Sequence, residues 1–256
     1  MALICAALGE KKDSEFENSE AASHYKKGLT YVKEGRCGEA ISEYIKSLEL
    51  FPDYYPVYSD LGYAFFYSGK FDAALECFRK AIFLKPDYVN AVRGIAYVYM
   101  GVGQEDEAAT YFKKAIDLEP DVISPYISLG IIYNNKKRFR EAIPLFGKVI
   151  DKAPNLDTAY FELGRAYEAV GETDLAIENY EKCITLNPNR RKPYLPLSVC
   201  HSSKGDYRKA FHYASIARQL DPKDEEAKEM MRSLYYTVRE ERRGAALKEG
   251  LPIKGQ

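Results

Sequence analysis

The sequence predicts an all-α protein, a right-handed α-α superhelical solenoid of helix-turn-helix repeats. Three observations carry that expectation. Prolines recur at Pro52, Pro86, Pro120, Pro154, Pro188 and Pro222, each 34 residues from the next. Alanines keep the same step at Ala40, Ala74, Ala108, Ala142, Ala176 and Ala210. Glycines at Gly28, Gly62, Gly130 and Gly164 and rings at Tyr44, Phe78, Phe112, Phe146 and Tyr180 stay in register with both. Small, aromatic and proline places repeating in one order are the mark of helical units that are stable only when stacked.

The stretch Tyr55 to Tyr88 shows how each unit reads. A first helix runs from about Pro56 to Tyr67 and breaks at Ser68-Gly69-Lys70. A second runs from about Asp72 to Leu84 and stops at Lys85-Pro86-Asp87. Pro56 suits a helix start, where its missing N–H is no loss, and Pro86 cannot continue the helix before it. The period then sets the order: a tail or linker over 1–20, its charged part 9–20 reading as a linker or a weak helical start, and six units at 21–54, 55–88, 89–122, 123–156, 157–190 and 191–224. Pro144 and Pro196 are expected in first turns. From 225 to 243 the apolar places Ala227, Met231, Leu234 and Val238 recur at helical spacing, as in a capping helix. Residues 244–256 read as a mobile tail. The apolar run Ala2–Leu8 is too short to span a bilayer; it reads as a frayed end or as a tab for a groove.

In Tyr58, Leu61-Gly62, Phe65, Ala74, Phe78, Ala81 and Pro86 the chain resembles the tetratricopeptide repeat family, and the likeness covers roughly 21–224. Departures are local: His24 and Lys27 in the first unit, Ala96 in the third, and Ser198, His201 and Ala214 in the sixth. Edge units lack a neighbour, so atypical ends are expected. The resemblance implies a non-enzymatic scaffold or adaptor whose concave groove, lined by the first helices, takes an extended or helical partner segment. Carried onto this chain, the groove consists of Tyr63, Phe66, Tyr67, Arg93, Tyr97, Met100, Ile127, Ile131, Asn134, Asn135, Phe161 and Arg165. Pro56 and Ser59 share the face in the second unit, Tyr25, Leu29 and Val32 continue it in the first, and Lys192, Leu195 and Val199 in the sixth. The rings and aliphatics are the expected anchors, Arg93 and Arg165 pair acidic partner groups, and Asn134 and Asn135 bind peptide backbone. The competing expectation is that these rings pack on one another without a ligand.

The carboxylate clamp by which some members of the family grip chaperone tails does not carry over. Its Lys, Asn and Arg places hold Tyr25, Leu29, Asp60, Asn90 and Gly94.

Composition narrows the function further. A formal charge of −1 gives nucleic acid and acidic membranes no bulk attraction. The 5 cysteines are scattered, with neither zinc nor redox spacing, and read as free thiols in a reducing, cytoplasmic setting. No phosphate loop or nucleophile motif is present, and His24, His201 and His212 lack a metal-site pattern. No enzyme activity, cofactor or metal is expected. The basic clusters Lys136-Lys137-Arg138 with Arg140, and Arg190-Arg191-Lys192, read as solvated turns. The alternative function is structural self-assembly through the N-terminal apolar segment or the end faces.

Overall fold

A computed structural model describes residues 14–248, with side chains through residue 240. The apolar run Ala2–Leu8, Cys5 and residues 249–256 lie outside the described residues. Helices alternate in pairs: α1 (Glu20–Lys33) and α2 (Cys37–Leu50), α3 (Tyr55–Tyr67) and α4 (Phe71–Leu84), α5 (Val89–Gly101) and α6 (Glu105–Leu118). There follow α7 (Ile123–Asn135) and α8 (Phe139–Lys152), α9 (Asp157–Ala169) and α10 (Thr173–Leu186), then α11 (Tyr194–Ser203), α12 (Tyr207–Leu220) and α13 (Glu225–Lys248). Contacts divide the chain into two compact units, Met1–Pro125 and Tyr126–Gln256. Each is taken by itself.

In the first unit, each helix from α1 to α6 packs on the next, and α3 also packs on α5. The glycine and ring places explain one another. A Cβ added at Gly62 would stand 2.7 Å from Phe78, and one at Gly94 would overlap the same ring still more deeply. Phe78, fully buried, is therefore clasped between α3 and α5. The repeat-three place expected to hold glycine holds Ala96, which is buried, as is Phe112 sixteen places later; Gly94 makes room for Phe78 of the preceding pair. The Ser47 hydroxyl donates to the Ala21 carbonyl at 2.8 Å and ties α2 to α1.

The stretch before α1 is more than a linker. Residues 14–17 are helical, and Phe16 is buried, stacked on Tyr54 at 3.7 Å and edge-on to Tyr25 and Phe51 at 5.8 and 5.4 Å. Ser19 then caps α1, its hydroxyl accepting from the Ala22 N–H. Of the two readings of this stretch, the helical start agrees with 14–17 and the linker does not, because the lone ring of Phe16, which shows no periodicity, is buried.

In the second unit, α8 through α13 pack in sequence. Added Cβ atoms at Gly130 and Gly164 would stand 2.6 and 2.7 Å from Phe146 and Tyr180. Ser198 occupies the corresponding place on α11, and its hydroxyl donates to the Ala210 carbonyl at 2.7 Å. On α13, Ala227 packs with Tyr194 and Ala217, and Leu234 with Ala210 and Ala214. The Asp224 carboxylate caps that helix by accepting from the Ala227 N–H at 3.0 Å. The helix runs to Lys248 instead of stopping at 243, so 244–248 is not tail. Pro144 also departs from expectation. It lies inside α8, past the first turn, where it leaves the Arg140 carbonyl without its helical donor.

Within each pair the turn has one form. The Arg36, Lys70, Gln104, Arg138, Glu172 and Asp206 amides each donate to the carbonyl five residues back, at 2.8 to 2.9 Å. This Schellman closure needs a left-handed residue, which is Gly35, Gly69, Gly103, Gly171 or Gly205. The fourth pair uses Lys137, at φ 59°. A side chain in that region carries a penalty of about 1–2 kcal/mol, partly offset by the greater unfolded-state freedom of glycine. Lys137→Gly is expected to raise stability by about 0.5–1 kcal/mol in urea titrations.

Candidate functional site

In the first unit, the first helix of each pair presents its free face through residues spaced three and four apart. On α3 these are Tyr63, Phe66 and Tyr67, and on α5 Arg93, Tyr97 and Met100. The contact of α3 with α5 sets them side by side: the Tyr63 hydroxyl donates to the Asn90 carbonyl at 2.9 Å. Ser59, expected on this face, is fully buried.

The anchors are footed on the second helices. Tyr63 stands edge-on to Phe78 at 5.0 Å, Phe66 is tilted against Phe71 at 5.8 Å, and Tyr97 stands edge-on to Phe112 at 5.2 Å. Each is half-buried, with its outer part in solvent. Tyr67, stacked beside Tyr63 at 6.5 Å, is 69% exposed, and Met100 is 38% exposed. Rings held at the base and open at the tip lose little freedom when a ligand covers them.

Charge on this face is unpaired in both senses. Arg93 donates from Nη2 to Asn90 Oδ1 at 2.8 Å, and among the described residues it forms no ion pair. Burial pushes the Tyr63 phenol up to about 12, with Arg93 beside it pulling the other way. Asp60, one turn before Tyr63, accepts from the Tyr25 hydroxyl at 2.7 Å and likewise has no cationic partner. Burial raises the Asp60 carboxyl above the ordinary range, opposed by the Tyr25 bond. The folded chain therefore keeps this proton to higher pH than the unfolded chain, and the carboxylate weighs against folding as pH rises past its unfolded value. Sequence reasoning met Asp60 only as a mismatch to the clamp. The missed signal was a lone carboxylate on the inner register of a first helix.

The second unit departs from expectation at three places. Asn134 is buried, its amide donating to the Glu162 carbonyl at 2.9 Å and to Glu162 Oε2 at 3.1 Å. Arg165 donates to the same carboxylate at 2.7 Å, so it neutralises the chain's own Glu162. Phe161 is buried, with the Arg190 guanidinium 5.1 Å from its centroid. Asn134 ties α7 to α9 and Phe161 is covered, while Arg165, still about a third exposed, is spent on the chain's own carboxylate. Ile127 and Ile131 are half-buried and Asn135 is exposed. Three of the basic-cluster arginines are also in use, Arg138 on Glu141, Arg190 on Asp157 at 2.9 Å and Arg191 on Asp221. A cleft of about 380 Å³ includes Lys192, Leu195 and Val199 of the expected sixth-unit face. Arg191 and Asp221 pair on its rim.

The chemical groups elsewhere are quiet. Cys37, Cys77, Cys183 and Cys200 are free. Burial pushes the Cys77 and Cys200 thiols up to about 12 and Cys183 to about 11, which keeps them protonated and unreactive. His24 meets Glu43 at 2.7 Å, and His201 lies parallel to the Tyr213 ring at 5.4 Å. Among the described residues no group of His, Cys, Asp and Glu could hold a metal ion, and no helix is long and apolar enough to cross a membrane.

Family models described as TPR repeat and tetratricopeptide repeat match residues 62–103, 158–190, and 21–54 with 94–122, together half the chain. The chain belongs to the tetratricopeptide repeat family. Its fold is similar to PilF of Pseudomonas aeruginosa, at TM-score 0.72 and 19% identity over 83% of this chain and 97% of that one. It is similar to YrrB, described as a TPR protein with an unusual peptide-binding site, at 0.67 and 19% over 73% and 96%. MamA matches at 0.61 and 27% over 66% and 92%. No curated protein matches the sequence.

Proposed function

We propose that this tetratricopeptide repeat protein is a non-enzymatic scaffold or adaptor, and that the first-helix face of its first unit takes an extended or helical segment of a protein partner. The observation that carries the proposal is the pairing of exposed Tyr67 and Met100 with the footed rings of Tyr63, Phe66 and Tyr97 on two adjoining helices. Tyrosine and arginine are the side chains that dominate binding energy at protein interfaces. Ile127, Ile131 and Asn135 offer a smaller, separate contact on the second unit. A cytoplasmic setting suits the free cysteines among the described residues.

A peptide-display library panned on the whole chain tests this. Selected peptides are expected to lose about 30-fold in affinity with Tyr67→Ala and Met100→Ala combined, equivalent to about 2 kcal/mol. Phe83, 77% exposed on α4, lies on a second helix and serves as the control; Phe83→Ala should leave affinity within about twofold. Loss with Phe83→Ala, and none with the paired change, would place binding elsewhere.

A further inference from the structure

Repeat places 60 and 162 are the same position of the 34-residue period, three units apart, and each holds a carboxylate turned inward. Their surroundings differ. Glu162 is supplied from within the chain, by Arg165 at 2.7 Å and the Asn134 amide at 3.1 Å. At the place of Arg165, one turn after Asp60, the chain has Tyr63. Asp60 accepts one side-chain bond, from Tyr25, and no lysine, arginine or histidine among the described residues pairs with it.

What lies around Asp60 is aromatic. Tyr25, Tyr44 and Tyr88 all feel its negative charge, from α1, α2 and the approach to α5. Tyr25 and Tyr88 are half-buried, as is Asp60, so the group is reachable from solvent. The Tyr44 hydroxyl is fully buried and has no hydrogen-bond partner. Lys85, whose charge is felt at Tyr88, lies against Tyr55, with its ammonium 5.0 Å over that ring and 3.4 Å from its hydroxyl. A carboxylate set among tyrosines, with a spare buried hydroxyl and no counter-charge, is the complement of a cation that brings its own hydrophobic stem.

We infer that Asp60, with the rings of Tyr25 and Tyr88, receives the cationic side chain of a lysine or arginine from the partner segment that lies on this face. The inference rests on the proposed binding role and names the chemistry its partner must carry. Arg93, farther along the same face and equally without a counter-charge, gives the segment a direction: basic toward α1, acidic toward α5.

The same display library decides it. Peptides selected by the unaltered chain should share a lysine or arginine at one fixed position, and replacing that residue by norleucine should weaken binding about tenfold. Against Asp60→Asn, which keeps an acceptor for Tyr25, the same replacement should change affinity by less than about twofold. Circular dichroism should show Asp60→Asn folded, melting at or above the unaltered chain at pH 7. Selected peptides with no fixed basic residue, or an equal norleucine effect on both proteins, would overturn the inference while leaving the binding face standing. Failure to select any peptide would overturn both.

Discussion

Gly94→Ala is expected to destabilise the first unit by about 3 kcal/mol, although it adds a single methyl group to a helix that would otherwise favour alanine. The reason is Phe78. Its ring is fully buried between Gly62 and Gly94, and the new Cβ would stand inside van der Waals contact with three ring carbons. The ring cannot retreat, because Gly62 closes the other side at the same range. Urea titration of the whole chain measures the loss. In a Phe78→Leu background the Gly94→Ala penalty should shrink to under about 1 kcal/mol, since the two changes share one space. Gly147 offers the contrast: it lies within α8 with nothing inside 4 Å of an added Cβ, so Gly147→Ala should stabilise by about 1 kcal/mol. An equal Gly94→Ala penalty with and without the Phe78 ring would show that the ring is not the cause.

The second large effect is expected at Arg165. Removing its guanidinium leaves the Glu162 side chain, 10% exposed, with the Asn134 amide as its one remaining side-chain donor among the described residues. A buried charge stripped of its partner destabilises by several kcal/mol. Arg165 itself is about a third exposed, so water replaces part of what it supplies. We expect Arg165→Ala to lose about 2 kcal/mol on that account. Adding Glu162→Gln should recover most of it, because a neutral amide needs no counter-charge. The double-mutant cycle in thermal melts reads the coupling directly; additive losses would mean that Arg165 acts through packing alone.

The repeat, its pairing of helices and the placing of its small residues were legible because steric necessity writes itself at a fixed period. Gly28, Gly62, Gly130 and Gly164 each face the ring sixteen places later, so closely that an added Cβ would overlap it. The reading faltered where one unit solves a shared problem in its own way. In the third unit the glycine place is filled by Ala96, which is buried, and in the fourth the turn is closed by Lys137 without glycine. Periodicity also says which face a side chain is on and nothing of what it meets there. Asn134 and Arg165 occupy face positions and are consumed by Glu162, a residue whose own place looked unremarkable. Phe16, outside the period, gave no signal in the sequence.

That last residue bears on how such chains can be cut and joined. The stacked rings of Phe16 and Tyr54 make the first pair of helices dependent on a segment the 34-residue rhythm does not count. A keystone set outside the arch makes the unit of repetition and the unit of independent folding different lengths of chain. Anyone who trims or shuffles these modules by their rhythm alone takes away a stone that the pattern never shows.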